Sequence, residues 1–209
     1  MTPALPGVRV LLHLRSAAST QSIARKLAEE GAEHRTLVWA DRQTRGRGRM
    51  DRRWSSPKGG LYLSLILRPK VAPARLAGLS RLFAKACSRA IVRCTGLKTR
   101  IKPPNDVLAR PASRTHFPIG RGTAALRARG RPVGGARRLG YRKVCGILLE
   151  AAGDSKSVHW LAAGIGINVN NRIPRSLPQA ASLQDLAGRG FSVEEVLRRV
   201  LAELAKMRL

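Results

Sequence analysis

The run QTRGRGRMDRRW, from Gln43 to Trp54, concentrates groups that could do chemistry. Each arginine offers a planar fork of donors that matches a carboxylate or a phosphate. Gly46 and Gly48 let the backbone come close to a ligand or take a positive φ. Two kinds of molecule use such a run: a disordered Arg-Gly strand that grips nucleic acid, and an ordered loop that closes over an anionic reaction centre. A disordered Arg-Gly tail normally lies in low-complexity sequence. This run lies between two strand-like segments and ends in Trp54, which can cover a flat ring or pack in a core, so we read it as an ordered loop.

Other candidates are spread along the chain. Lys143 opens KVCGILLE (Lys143–Glu150), and a strand is a rigid mount for a cation. KPPND (Lys102–Asp106) combines a turn with polar side chains. Ser19 and Thr20 stand where hydroxyls can cap a helix and touch a ligand at once. His13, His34, His116 and His159 have no Cys or carboxylate partner at ligand spacing, so metal binding through them is not expected. No Ser-His-Asp arrangement is visible.

These residues need elements to hold them. VRVLLHL (Val8–Leu14) reads as a buried strand, followed by a helix from about Ser19 to Glu30 that stops at Gly31. TLVWAD (Thr36–Asp41) and LYLSLILR (Leu61–Arg68) are strands on either side of the arginine loop. Apolar residues at helical spacing predict a helix over Pro73–Thr95, ending at Gly96. TRIKPPNDVL (Thr99–Leu108) reads as one short strand broken by its prolines. KVCGILLE and SVHWLAAGIGINVN (Ser157–Asn170) form a strand pair around a polar turn. A last helix starts at Ser192, with Ser192 and Glu195 as a capping box. Strands around two or three helices, without regular alternation, predict an α+β fold with a mixed, mostly antiparallel sheet flanked by helices.

The chain has 209 residues, 44% of them hydrophobic and 4% aromatic, enough for one largely aliphatic core and no second large domain. Lys and Arg number 40 against 12 Asp and Glu, a net charge of +28. That balance favours a polyanionic partner, or reflects an Arg-rich proteome combined with a nucleotide-handling site. The region at about 109–142 has no acidic residue and little periodicity, and we read it as a mobile basic insertion. Cys87, Cys94 and Cys145 show no CxxC or metal spacing and read as buried free thiols. There is no secretory leader pattern and no apolar run long enough for a bilayer, so a soluble cytoplasmic protein is expected.

GRGRMDRRW (Gly46–Trp54) resembles the GRGRxGRxW signature of biotin protein ligases, of the biotin/lipoate ligase superfamily. Ser19-Thr20-Gln21 is similar to that family's Ser-Thr-Asn, and Gln43 to the glutamine before its glycine-rich loop. KPPND is similar to Lys-Trp-Pro-Asn-Asp, KVCGILLE to Lys-x-x-Gly-Ile-Leu-x-Glu, and GIGINVN (Gly164–Asn170) matches outright. The resemblance runs from about Val8 to Leu209 apart from the insertion. It implies one catalytic domain, residues 1–209, of class II synthetase-like fold. Neither the N-terminal helix-turn-helix nor the C-terminal β domain of some relatives is expected.

The activity implied is attachment of biotin to a lysine of a biotin carboxyl carrier domain, through biotinyl-5′-AMP, with ATP and Mg²⁺. The resemblance assigns biotin contacts to Ser19, Thr20, Gln21, Gln43, Arg47, Gly48, Arg49, Lys143, Gly146 and Leu148. It makes Lys143, Arg49 and Arg47 the catalytic cations, and puts Arg52, Trp54, Asn105 and Asn168 on the nucleotide side. A homodimer is compatible with it. The alternatives are a nucleic-acid-binding protein that uses the basic insertion on a ligase-like scaffold, and a lipoate ligase of the same fold. Four positions depart from the family pattern: Gln21 replaces Asn, Arg45 a small residue, Asp51 the common Gly, and Pro103 the Trp.

Overall fold

The computed structural model describes residues 4–111 and 140–207; the residues numbered 112–139, most of the expected insertion, lie outside it, and His116 with them. Seven strands form one sheet in the order β1-β2-β3-β7-β6-β5-β4. They are β1 (Val10–Leu14), β2 (Thr36–Ala40), β3 (Leu61–Leu67), β4 (Thr99–Lys102), β5 (Asp106–Ala109), β6 (Arg142–Gly153) and β7 (Val158–Ile167). Every neighbouring pair is antiparallel except β1 with β2. The helices are α1 (Thr20–Glu29), α2 (Leu76–Thr95), α3 (Leu183–Ala187) and α4 (Val193–Ala205). The fold is therefore α+β around a mixed, mostly antiparallel sheet, as the sequence predicts.

Side chains alternate along a strand, so each strand serves two faces. Cys145 and Ile147 of β6, with Ala163, Ile165 and Ile167 of β7, pack under α2 and α4, where Phe83, Ile91, Leu197 and Val200 complete the larger core. α1 covers the other face with Ala24 and Ala28 against Val38, Ile66 and Ala162. Arg68, just past β3, clamps the far end of α1: its guanidinium donates to the carbonyls of Ala28 and Ala32 at 3.0 and 2.9 Å. Carbonyls at a helix C-terminus lack intrahelical partners, and a cation is well placed to take them. Among the described residues no helix is long and apolar enough to cross a membrane.

Four sequence expectations change. β1 is an edge strand, not a buried one, because only β2 pairs with it, and Val10 and Leu11 are each 43% exposed. Thr99–Leu108 is not one strand but a hairpin, β4 and β5, folded at the cis Pro103-Pro104 bond. At Ser192 only half of the capping box forms, since its hydroxyl accepts from Glu195 N while the Glu195 carboxylate faces Arg199. The complete box is at α3, which the periodicity does not reveal: Ser182 and Asp185 cap each other reciprocally. The cysteines are free; Cys87 and Cys145 are buried and Cys94 is half-buried.

Candidate active site

The site lies on the α1 face of the sheet, and glycine opens the space for it. Gly146 of β6 pairs with Gly166 of β7, and Leu148 with Gly164. A Cβ on Gly166 would come within 2.5 Å of the Trp54 indole nitrogen, and one on Gly146 within 3.0 Å of the same ring. A Cβ on Gly164 would meet Gln21 Oε1 at 2.4 Å. The indole and the Gln21 amide therefore rest directly on bare backbone.

α1 supplies the floor. Ser19 caps the helix, its hydroxyl accepting from Ser22 N at 3.4 Å, so Thr20 and Gln21 enter the cavity from the first turn. All three are at least 97% buried. Gln43 Oε1 accepts from Thr20 N at 2.8 Å and from Thr20 Oγ1 at 3.1 Å. Gln43 Nε2 donates to Ser56 Oγ at 2.8 Å, and Ser56 donates on to the Trp54 carbonyl. From β3, Ser64 Oγ lies 3.1 Å from Thr20 Oγ1 and 3.0 Å from Gln21 Oε1. Gln21 Nε2 donates to the Ala162 carbonyl. Its longer side chain thus spans from α1 to β7, over the space Gly164 leaves.

The arginine run forms the rim as a tight ordered loop. Gly48 N donates to Arg52 O at 2.7 Å and Trp54 N to Gly46 O at 2.9 Å, while Arg47 and Arg53 form an isolated bridge. Met50 and Asp51 turn the loop with φ of 51° and 54°. Asp tolerates this left-handed region, which explains how it can stand where glycine is common. The cations are tied to the frame. Arg47 makes two hydrogen bonds to the Glu150 carboxylate, at 2.9 and 3.2 Å. Arg49 donates to Asn105 Oδ1 at 3.3 Å, and Asn105 Nδ2 donates to the Ile147 carbonyl.

Lys143 reaches this face through an irregularity. β5 pairs Val107 with Cys145 but Leu108 with Lys143, so Val144 is an extra residue in β6. Val144 and Cys145 both point into the core with no exposure. Such a bulge re-aims the side chain beside it, and here Lys143 joins Gly146 on the cavity side, its Cε 3.5 Å from where a Gly146 Cβ would be. The Lys143 backbone bonds to Gln179 O and Ala181 N, and its ammonium sits 2.7 Å from Asp106 and 5.2 Å from the centre of the Trp54 ring.

All fourteen residues singled out from the sequence, Ser19, Thr20, Gln21, Gln43, Arg47, Gly48, Arg49, Arg52, Trp54, Asn105, Lys143, Gly146, Leu148 and Asn168, line one cavity of about 270 Å³. Three features of its wall are not assigned from the sequence. Ser64 could have been noticed as the one polar residue in an apolar strand. Asp106 closes the KPPND motif, but no role is assigned to it there. The stretch from Ile173 to Ala180, which closes one side, has no periodicity to find. Among the described residues Asp106 is the one acid lining the cavity, against Lys143 and four arginines, and no group of three His, Cys, Asp or Glu could hold a metal ion. A neutral polar floor, an aromatic wall and a cationic rim suit a ring-bearing molecule with an acid group beside a phosphate.

A sequence model of the biotin/lipoate A/B protein ligase family matches residues 14–168. The bifunctional ligase/repressor BirA of Bacillus subtilis (strain 168) is 34% identical over 189 residues, 88% of this chain and 49% of that protein. The biotin–[acetyl-CoA-carboxylase] ligase of Paracoccus denitrificans is 35% identical over 153 residues, 72% of this chain and 51% of its own length. The chain thus spans about half the length of the curated relatives it matches. Among solved structures, the biotin protein ligase from Aquifex aeolicus in complex with biotin and ATP is similar with a TM-score of 0.69 and 30% identity, covering 95% of this chain and 69% of that one.

Proposed function

The chain belongs to the biotin/lipoate A/B protein ligase family, and from that premise we propose that it activates biotin with ATP as biotinyl-5′-AMP and passes the acyl group to a lysine of a biotin carboxyl carrier domain. The observation that carries this reading is the hydrogen count on the floor. The backbone N–H of Thr20 can only donate, so Gln43 must turn Oε1 toward it. The Thr20 hydroxyl also donates to Gln43, which leaves Thr20 Oγ1 an acceptor. Ser64 then has a single hydrogen for two acceptors, Thr20 Oγ1 and Gln21 Oε1. The floor is short of donors, and a ligand with N–H groups supplies them. The cyclic urea of biotin carries two, whereas the dithiolane ring of lipoate carries none. A site built to bond a polar group rejects an analogue lacking it by roughly 10⁴-fold or more.

In the first step a biotin carboxylate oxygen bonds to the α-phosphorus as the bond to the pyrophosphate oxygen breaks. Negative charge gathers on groups that repel one another. Lys143, Arg47, Arg49 and Arg52 line the cavity where that charge would develop. Lys143 is positioned to exchange Asp106 for the acid group, and Arg47 to exchange Glu150. Trp54 would cover the nucleotide base, with Asn105 and Asn168 on the same side. Mg²⁺ would arrive with the triphosphate; one carboxylate, Asp106, fits an ion held mainly by phosphate and water rather than by a protein cage. In the second step the carrier amine attacks the acyl carbon and AMP leaves. The Aquifex aeolicus structure, with biotin and ATP together, supports this reading.

The test is incubation with biotin, Mg-ATP and a carrier domain, scored for biotinyl-adenylate and labelled carrier. Absence of both above a no-protein control overturns the proposal. A thermal shift with biotin and none with lipoate is the expected companion result, since a ligand raises apparent stability by mass action.

A further inference from the structure

The three long helices treat their positive charges differently. In α1, Arg25 and Lys26 each face a glutamate one turn on, Glu29 and Glu30. In α4, Arg198 and Arg199 face Glu194 and Glu195 in the same way. α2 contains no acidic residue, and the chain has none at all between Asp51 and Asp106. The solvent side of α2 instead stacks Arg81, Lys85, Arg89 and Arg93 four residues apart, all exposed. Of these, Arg93 pairs with Glu203 of α4, at 3.0 Å. Glu203 is buried, and its carboxyl is held below the usual range first by a hydrogen bond from Lys206 and then by the charges of Arg93 and Arg89. Arg81 and Lys85 make no ion pair among the described residues.

Like charges one turn apart weaken a helix. An Arg-rich composition does not explain the pattern, because α1 and α4 carry arginines too and balance them. The positions from Arg81 to Arg93 span about 18 Å at 1.5 Å per residue. α2 packs on the face of the sheet opposite the cavity, so a partner there would leave the cavity open.

We propose that the solvent face of α2, centred on Arg81, Lys85 and Arg89, binds the phosphate backbone of duplex nucleic acid. A duplex presents a charge every 1.7 Å or so of its axis, dense enough to meet each cation. An anionic membrane suits the face less, since Phe83, Cys87 and Ile91 are fully buried and only Leu82 and Val92 stand out as exposed apolar residues. An acidic protein suits it less as well, for the face offers no aromatic anchor of the kind that dominates protein interfaces. The proposal is independent of the ligase reading and draws on no residue from 112 to 139.

The test uses the full chain and a DNA duplex of about 24 base pairs across a salt series. The variant Arg81→Gln/Lys85→Gln/Arg89→Gln keeps good helix formers, and relief of the repulsion offsets the loss of the Arg89 charge near Glu203, so its melting temperature should change little. Its slope of log K against log salt should be shallower by about 2.7, three contacts at about 0.9 each. A control, Arg9→Gln/Arg15→Gln/Lys156→Gln, removes the same charge elsewhere and should change the slope by less than one contact. Equal slopes in the two variants, no duplex binding by the parent chain near 0.15 M salt, or α2-dependent binding to phosphatidylserine vesicles in place of DNA would each overturn the proposal.

Discussion

The floor and the rim of the cavity meet the same ligand volume by different physical means. The floor is neutral, with Thr20, Gln21 and Ser64 buried and Gln43 half-buried, and all four are fixed by hydrogen bonds whose directions follow from one backbone donor. The rim is charged and half-open, and its cations already rest on protein acids and amides: Arg47 on Glu150, Arg49 on Asn105 and Lys143 on Asp106. A buried neutral network has one good arrangement and is costly to leave incomplete. Partly exposed ion pairs are individually weak and readily exchanged. The floor is thus suited to recognition, and the rim to meeting charge that appears only during reaction.

The sharpest way to break this comparison is to remove one rim charge. Lys143→Met should lower the rate of biotinyl-adenylate formation by about 10²–10³-fold, the usual cost of a lost donor at a developing charge. Biotin binding measured by calorimetry should change far less. A parallel loss of both would mean that the lysine recognises rather than activates. Next in size is the floor: Gly164→Ala forces Gln21 aside, an overpacking that costs about 1–3 kcal/mol. It should appear as weaker biotin binding, with kcat nearly retained at saturation. Smaller still is Glu150→Gln, which frees Arg47 from a half-exposed pair worth about 1 kcal/mol or less. It should leave the melting temperature within a degree or two while altering KM for ATP.

The smallest effect concerns the far end of α1, whose near end carries the floor. His34 Nδ1 accepts from Arg68 N at 3.0 Å, which requires the neutral ring. Burial, then the charges of Arg35 and Arg9, lower its pKa below 6.5. A group protonated more readily when unfolded stabilises the fold fully above the unfolded value, and that contribution is lost as pH falls through the folded one. The melting temperature should therefore decline from pH 7.5 to 5.5. His34→Gln should flatten that decline; an unchanged slope would place the sensitivity elsewhere.

Residue types alone mark the arginines of the rim, Lys143 and the hydroxyls of Ser19 and Thr20. Gln21 and Gln43 of the floor are singled out through the resemblance of their short segments to family motifs. What could not be read depends on three-dimensional pairing. Ser64 is an ordinary serine until β3 sets it beside Thr20 and Gln21. α3 is too short for periodicity, and the wall from Ile173 to Ala180 is held by backbone bonds to Lys143 rather than by a pattern of side chains. β1 reads as buried because an edge strand and an inner strand can share composition, and only the strand order separates them. The hairpin at Thr99–Ala109 was hidden because a proline pair in a short apolar stretch fits an interruption as well as a reversal.

The extra residue in β6 has a consequence for how this protein could change. Lys143 and the strand beyond Gly146 are out of phase by one position, and Val144 alone maintains the offset. Deleting Val144 would put Lys143 two residues before Gly146 and so still on the cavity side. Straightening the bulge with Val144 in place would instead swing the ammonium toward Phe83 and Ile91, where an unpaired charge is not tolerated. The lysine would then have to leave the sheet or lose its proton. The site is therefore more sensitive to a regular β6 of unchanged length than to one shortened by a residue before Gly146.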